Sequence, residues 1–287
     1  MSASPEQALQ DGHPAQSPEQ APDITEAGGD ASDDGFQPSE WDASSSGSTS
    51  ITSYHSFRDG KYPIPNDDIE QNREETKHAM VMELTDGKLF HASIGDSPSK
   101  IIGLGTGTGI WAMEVGGHYP SAEVTGVDLS PIQPSWVPSN VRFFVDDVED
   151  DWLAEAYVET QDFAVNVKSD DGTMPKTGLC WNSVAPRIGA FMKDDGFVNV
   201  QVRSYKVPVG SWPLDKIKRL LGRYMRSVTE DFLGAAASKP LAALGMERTE
   251  IEVFLASVRN AIKDPNLHAY GTYYSRVGQK PVESGSK

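Results

Sequence analysis

The chain has 287 residues, of which 42 are acidic and 25 basic, so its formal net charge is −17. So acidic a chain argues against a nucleic-acid-binding surface, which needs a basic patch. No window approaches the roughly 18 apolar residues of a membrane span. The single cysteine, Cys180, excludes an internal disulfide and a zinc site built from several cysteines. These features predict an intracellular protein, in the cytoplasm or the nucleus.

The charge is concentrated at the N-terminus. The first 50 residues contain ten acidic residues and no lysine or arginine, and they are rich in Ser, Pro, Gly and Ala. Such a segment cannot bury enough apolar surface to offset the entropy of ordering it. We therefore expect residues 1–52 to be a disordered acidic tail and residues 53–283 to form the folded domain.

A glycine-rich loop follows the first short apolar strand. The segment "IIGLGTGTGIW" places glycines at every second position from 103 to 109, just before a helix that should begin near Ile110. No lysine follows, as a P-loop would require, and the third glycine of G-x-G-x-x-G is missing. The spacing that fits is G-x-G-x-G over 105–109. Alternating glycines there let the backbone approach an adenosyl group and its amino-acid tail at a helix N-terminus.

Two further strands place acidic residues beside this loop. The segment "AEVTGVDLS" (122–130) predicts a strand that ends at Asp128, and "NVRFFVDDVED" (140–150) predicts one that ends near Asp147. An acidic residue about 20 positions after the glycines is where ribose hydroxyls are bound in such folds. The order of strand, helix, strand, loop and strand predicts an α/β, doubly wound and mostly parallel sheet.

The remaining elements are indicated by periodicity and by capping residues. Asn66 or Asp67 can cap an N-terminal helix, and a half-exposed strand follows much later at 196–210. The final segment predicts a strand that pairs antiparallel with 196–208. Two amphipathic helices are predicted between them, at 214–234 and 249–264.

These segments together resemble a known family. The carriers are "YPIPNDDIEQNREETKHAM", "GLGTGTGIWAMEVGGHYPSAEVTGVDLSPIQPSWVPSNVRFFVDDVED", "SDDGTMP", "VAPRIGAFMKDDGFVNV" and "KDPNLHAYGTYYSRVGQKP". They are similar to the filamentous-fungal class I methyltransferases of the LaeA type, over about residues 54–281. The resemblance implies a Rossmann-like sheet, S-adenosylmethionine (SAM) as cofactor and a role in secondary metabolism.

The resemblance also implies roles for particular residues. Asp128 matches the acid that binds the ribose of SAM, and Asp147 with Val148 matches the pair beside the adenine. The residues that match the loop under the methionine part of SAM are Gly105, Thr106, Gly107 and Gly109. No catalytic residue can be named from the sequence. The six histidines show no metal-ligand spacing, so no metal site is predicted.

One departure from the family lies at Gly103, where the family pattern has an acidic residue. That carboxylate helps to hold the amino end of SAM. Its loss removes a charge-assisted hydrogen bond worth roughly 1.5–3 kcal/mol, or about tenfold to 150-fold in affinity. We therefore expect weakened SAM binding.

A second departure is the short connection after the third strand. The linker 149–156 leads directly to "YVETQDF" (157–163), which resembles the family's fifth strand, so the fourth strand and its helix are missing. A smaller gap falls at 178–189. Either the strand at 157–163 moves into the vacant fourth position, or the sheet is defective. The missing part also normally lines the site of the methyl acceptor.

Three interpretations remain open. The first is a SAM-dependent methyltransferase acting on a small molecule in fungal secondary metabolite biosynthesis. The second is a catalytically impaired relative that serves as a binding or regulatory subunit in the pathway. The third is a mis-spliced gene model of a true enzyme. The expected partner is a small-molecule acceptor or a pathway protein, with neither nucleic acid nor membrane involved.

Overall fold

The computed structural model describes residues 66–146, 157–173 and 184–281. The predicted acidic tail at 1–52 and the domain limits at 53 and 283 lie outside these residues. The described elements, in chain order, are α1 Asp68–Leu84, β1 Lys100–Leu104, α2 Ile110–His118, β2 Glu123–Asp128, β3 Val141–Val145, β4 Tyr157–Lys168, a 3-10 turn Ala185–Arg187, α3 Ile188–Asp194, β5 Val198–Pro208, α4 Lys216–Ala243, α5 Arg248–Ala261 and β6 Tyr270–Gln279.

The helix boundaries follow from capping chemistry. Asp67 is the N-cap of α1, and its side chain accepts a hydrogen bond from the amide of Glu70 at 3.1 Å. This confirms one of the two predicted caps, because a carboxylate satisfies an amide that has no partner inside the helix. Helix α4 runs well past the predicted end at residue 234 and contains Pro240 in its last turns. None of the described helices combines the length and apolar character that a bilayer span requires.

The first half of the domain is a three-stranded parallel sheet in the order β1-β2-β3. Helix α2 packs on one face, where Val124 of β2 and Val115 of α2 are fully buried. Apolar side chains at these positions exclude water from the space between helix and sheet, which holds the two layers together. The predicted strand-helix-strand-strand order is confirmed.

The opposite face of this parallel sheet is largely uncovered by described residues. Ile102 and Leu104 of β1 are 46% and 50% exposed, and Phe144 of β3 is 54% exposed. Leu104 and Phe144 flank Val127 in one row of the strand register. Parallel sheets are normally covered on both faces, so this apolar row marks where the domain departs from the usual architecture.

The second half is a three-stranded antiparallel sheet in the order β4-β6-β5. The last strand, β6, lies in the centre and pairs with both neighbours. Its partnership with β5 confirms the predicted pairing, and β4 adds a third strand on its other edge. Helices α1 and α4 cover one face, around the buried side chains of Met80, Val207, Leu221 and Tyr273.

The two sheets are separate among the described residues. β4 pairs with β6, and no ladder joins β1 to β4. The alternative in which the strand at 157–163 moves beside β1 is therefore wrong, and the sheet is interrupted where a fourth strand was expected. The α/β class, with a parallel part and antiparallel C-terminal strands, is confirmed.

The connection at residues 89–92 bridges the two sheets. The carbonyl of Leu89 accepts hydrogen bonds from Trp111 Nε1 of α2 and Gln161 Nε2 of β4, both at 2.9 Å. Glu159 of β4 accepts from the amides of His91 and Ala92 through its Oε2, at 2.6 and 2.8 Å. Side-chain hydrogen bonds therefore link the two halves where a strand ladder is absent.

Candidate cofactor site

The glycine loop between β1 and α2 is held in a left-handed backbone conformation. Gly105, Gly107 and Gly109 have φ angles of 68°, 54° and 83°. Glycine occupies this region without the steric cost that a Cβ imposes on other residues. The amides of Gly105 and Thr106 donate to the carbonyl of Val127 at 2.8 and 3.0 Å, so the loop is fixed to the end of β2.

The glycines differ in what surrounds them. A Cβ at Gly109 would lie 2.4 Å from the ring of Phe143, so this position is closed by packing. A Cβ at Gly105 or Gly107 would meet no atom within 4 Å. The space in which a side chain would begin is therefore open at both residues, and a ligand there could lie close to the backbone.

Asp128, at the carboxyl end of β2, is the organising side chain of the loop. Its Oδ2 accepts a hydrogen bond from the amide of Gly107 at 2.8 Å, and its Oδ1 accepts from the amide of Ser130 at 2.9 Å. Gln133 Nε2 donates to the carbonyl of Gly107 at 2.6 Å from the other side. An ionised carboxylate has about four acceptor sites, so Asp128 keeps capacity for a ligand hydroxyl.

The N-terminus of α2 supplies a further binding element. Its N-cap is Gly109, and no side chain caps the helix. The first amides of a helix have no partner inside it, and together with the helix dipole they favour an anionic group. A ligand that lies along the open side of the glycine loop would reach these amides with its carboxylate.

The side chain of Thr106 lies against β2. Its Oγ1 is buried and has no hydrogen-bond partner among the described residues. A Cβ at Gly126 would lie 2.8 Å from this oxygen. The hydroxyl is therefore directed toward β2, away from the open side of the loop.

Gly103 lies against Trp111 of α2. A Cβ at this position would be 3.0 Å from Cζ3 of the indole and 3.2 Å from Cε3. The indole therefore borders the space in which the side chain of the expected acidic residue would begin. Any larger residue at 103 requires the ring to shift by a few tenths of an ångström.

The adenine side of the predicted site is only partly described. Asp147 and Val148 lie outside the described residues, so their predicted role stays a prediction. The preceding residue, Asp146, is described, and its amide donates to the carbonyl of Asp128 at 3.1 Å. The chain therefore enters the predicted adenine segment directly beside the carboxyl end of β2.

A buried polar cluster at the joint between the sheets was missed by the sequence interpretation. His91 Nδ1 lies 3.1 Å from Ser275 Oγ and 3.4 Å from Glu159 Oε1, and His91 Nε2 lies 3.2 Å from the hydroxyl of Tyr205. Burial opposes ionisation of Glu159, but hydrogen bonds from His91, Gln161 and Ser275 outweigh it and hold its pKa below the usual range. These residues come from four distant segments, so no local motif reveals them.

Two further described histidines make structural contacts. His78 Nε2 of α1 lies 3.0 Å from Glu114 Oε2 of α2, and His268 stacks on Trp212 with ring centroids 4.9 Å apart. In the part of the chain that the structure describes, no group of three or more candidate ligands could hold a metal ion.

Comparison with known sequences agrees with this fold and loop. No family model matches the chain. The chain is 31% identical over 278 residues to methyltransferase pytC of Aspergillus terreus, covering 79% of this chain and 86% of that protein. It is 25% identical to the secondary metabolism regulator LAE1 of Cochliobolus heterostrophus and to the protein-methionine methyltransferase laeA of Emericella nidulans, covering 80% of this chain and 93% and 75% of those proteins.

Solved structures give a more distant likeness. Phosphoethanolamine N-methyltransferase 2 of Haemonchus contortus, bound to S-adenosylhomocysteine, matches with 12% identity and a TM-score of 0.36 over 72% of this chain and 53% of that one. Coclaurine N-methyltransferase matches with 14% identity and a TM-score of 0.34 over 72% of this chain and 71% of that one.

The 31% identity to methyltransferase pytC, with a glycine loop beside an acidic strand end on an α/β fold, places this chain in the methyltransferase type of protein. The chain belongs to the fungal methyltransferase family that includes pytC and the LaeA-type regulators of secondary metabolism. The predicted family membership is confirmed.

Proposed function

We propose that this protein binds SAM at the glycine loop and transfers its methyl group to a small molecule in fungal secondary metabolism. The observation that supports this most directly is the hydrogen bond from Gly107 to Asp128. It holds the loop with its open side next to a carboxylate that still has acceptor capacity. The similarity to pytC, a methyltransferase by name, supports the same function.

Each part of the site has a proposed task. The open backbone at Gly105 and Gly107 lies under the methionine portion, and the uncapped amides of α2 receive its carboxylate. Asp128 accepts from the ribose hydroxyls. Asp147 and Val148 are proposed to lie beside the adenine. When bound, SAM supplies a methyl group on a positively charged sulfur.

Methyl transfer of this kind depends mainly on placing the acceptor nucleophile in line with the sulfonium. The chain then has to orient two molecules and exclude water, and it needs little acid-base help. No described residue is assigned as a catalytic base. Water is excluded least at the uncovered face of the parallel sheet, where Ile102 and Leu104 are exposed.

A second candidate function is regulation without catalysis. Two observations favour it: glycine stands at position 103 in place of the family's carboxylate, and the sheet is interrupted between β1 and β4. Several relatives are named as regulators of secondary metabolism. In this case the glycine loop would retain its fold while SAM binds weakly or not at all.

Calorimetric titration of the full chain with SAM separates the two functions. Binding in the micromolar to millimolar range, weakened by substitution of Asp128, is expected for the first. Absence of heat at millimolar SAM, from a protein whose circular dichroism shows folded α/β structure, would contradict it and leave the regulatory function. Product analysis with a panel of phenolic, amine and carboxylic acid acceptors then tests transfer itself.

A further inference from the structure

A fully buried arginine lies on the antiparallel sheet, on the face opposite α1 and α4. Arg276 of β6 has 0% of its surface exposed. The 3-10 turn and α3 cover it, and a Cβ at Gly189 of α3 would lie 3.9 Å from the Cδ of Arg276. The guanidinium is therefore held inside the protein between a sheet and a short helical segment.

The guanidinium is incompletely hydrogen-bonded. Its Nη2 donates to the carbonyl of Ala185, and its carbon lies 4.4 Å from the ring centroid of Tyr274. Its Nε and Nη1 have no hydrogen-bond partner among the described residues. Thr160 of β4 is the cross-strand partner of Arg276 in the register, and its Oγ1 is also buried without a partner. Two neighbouring side chains thus leave polar atoms unsatisfied.

Arg276 makes no ion pair with a described carboxylate. Asp162, an exposed residue two positions after Thr160 on β4, acts on Arg276 electrostatically without forming an ion pair with it. An arginine remains protonated in proteins, and a buried cation without a counter-charge is costly.

This deficit is unusual in so acidic a chain. A protein with a net charge of −17 has carboxylates in excess for pairing with its cations. A second arginine, Arg187, lies two residues after Ala185, and its guanidinium packs over Phe191 at 5.0 Å. This second arginine of the covering turn is exposed to solvent.

We propose that Arg276 and Thr160 form a binding site for a small oxyanion, a carboxylate or a phosphate group. Guanidinium N–H donors match the geometry of such groups, and the threonine hydroxyl can donate one more hydrogen bond. The site lies on the antiparallel sheet and its argument does not depend on SAM binding.

Thermal unfolding of the full chain tests the site. Unfolding is followed at pH 7 in sodium phosphate, sodium acetate and sodium chloride of matched ionic strength. A ligand present at about five times its Kd should raise Tm by about 2–4 °C for a chain of this size. A response to phosphate alone indicates a phosphate site, and a response to acetate indicates a carboxylate site.

Two variants separate this effect from general stabilisation by salts. Arg276→Met should abolish the anion-specific rise in Tm, whereas Arg142→Met, which removes an exposed arginine of β3, should retain it. Where Arg276→Met does not fold, Thr160→Val should at least halve the rise at the same anion concentration. The proposal is overturned when neither anion raises Tm above chloride, or when Arg276→Met or Thr160→Val responds like the unsubstituted protein.

Discussion

The carboxylate of Asp128 accepts a hydrogen bond from the amide of Gly107 at 2.8 Å, and the two residues are 21 positions apart in the chain. This contact fastens the glycine loop after β1 to the carboxyl end of β2. The two strands are parallel neighbours, so their ends meet at one edge of the sheet. The shape of the loop and the position of the proposed ribose acceptor are therefore set by one side chain.

Substitution of Asp128 should weaken SAM binding through both roles. Asp128→Asn keeps the volume but has one acceptor oxygen in place of two, while the amides of Gly107 and Ser130 both need one. We expect the Kd for SAM to rise about tenfold to 150-fold, from the loss of a charge-assisted hydrogen bond. Calorimetric titration with SAM measures this Kd. The control Asp194→Asn, in the exposed part of α3, should bind as before; a twofold effect or less at Asp128 would contradict its assigned role.

The glycines of α2 and its N-cap provide a matched pair for stability. Gly109→Ala would place a Cβ 2.4 Å from Phe143 on a residue with φ of 83°. We expect a loss of about 2–5 kcal/mol in the free energy of unfolding, from strain and overpacking. Gly117→Ala, whose Cβ meets nothing within 4 Å, should gain about 0.5–1 kcal/mol. Urea unfolding measures both, and equal effects would refute the packing argument.

Substitutions at position 103 test whether the missing carboxylate weakens SAM binding. Gly103→Asp should lower the Kd for SAM about tenfold or more, while the crowding of Trp111 costs about 1–3 kcal/mol of stability. Gly103→Ala is the control, because it crowds the indole equally and adds no carboxylate. It should lose similar stability and show no gain in affinity. The same SAM affinity in both variants would exclude the carboxylate as the cause.

The buried cluster at the joint of the sheets predicts a pH dependence. The pKa of Glu159 is held below its usual range, so its contribution to stability is complete above its unfolded pKa of about 4.3 and is lost as the pH falls through its folded pKa. Glu159→Gln should reduce the free energy of unfolding at pH 7 by about 1–3 kcal/mol, since the partly buried amides of His91 and Ala92 lose a charged acceptor. The difference should shrink below about pH 4. Denaturant unfolding at pH 7, 5 and 3.5 tests this, and a difference that grows on acidification would contradict it.

The sequence was most informative where local chemistry decides the structure. The positive φ angles at Gly105 and Gly109 and the N-cap at Asp67 follow from residue type and spacing. The third strand of the antiparallel sheet and the division between the sheets depend on which distant strands pair. The short connection after the third strand indicates that a strand is missing, but it does not indicate how the remaining strands pair. The bridging segment 89–92 could not be recognised from its own sequence. Its backbone groups are hydrogen-bonded by side chains from distant segments.

Each sheet has a hydrophobic core of its own, around Val124 in one half and Tyr273 in the other. The two halves are linked by hydrogen bonds to residues 89–92 and by α1, rather than by a shared backbone ladder. Met82 of α1 packs against the first core, and Met80 of α1 lies in the second. Such a protein need not lose both halves in one cooperative event. Calorimetric heating should show a van't Hoff enthalpy below the measured enthalpy, the signature of an intermediate in which one half has melted and the other persists.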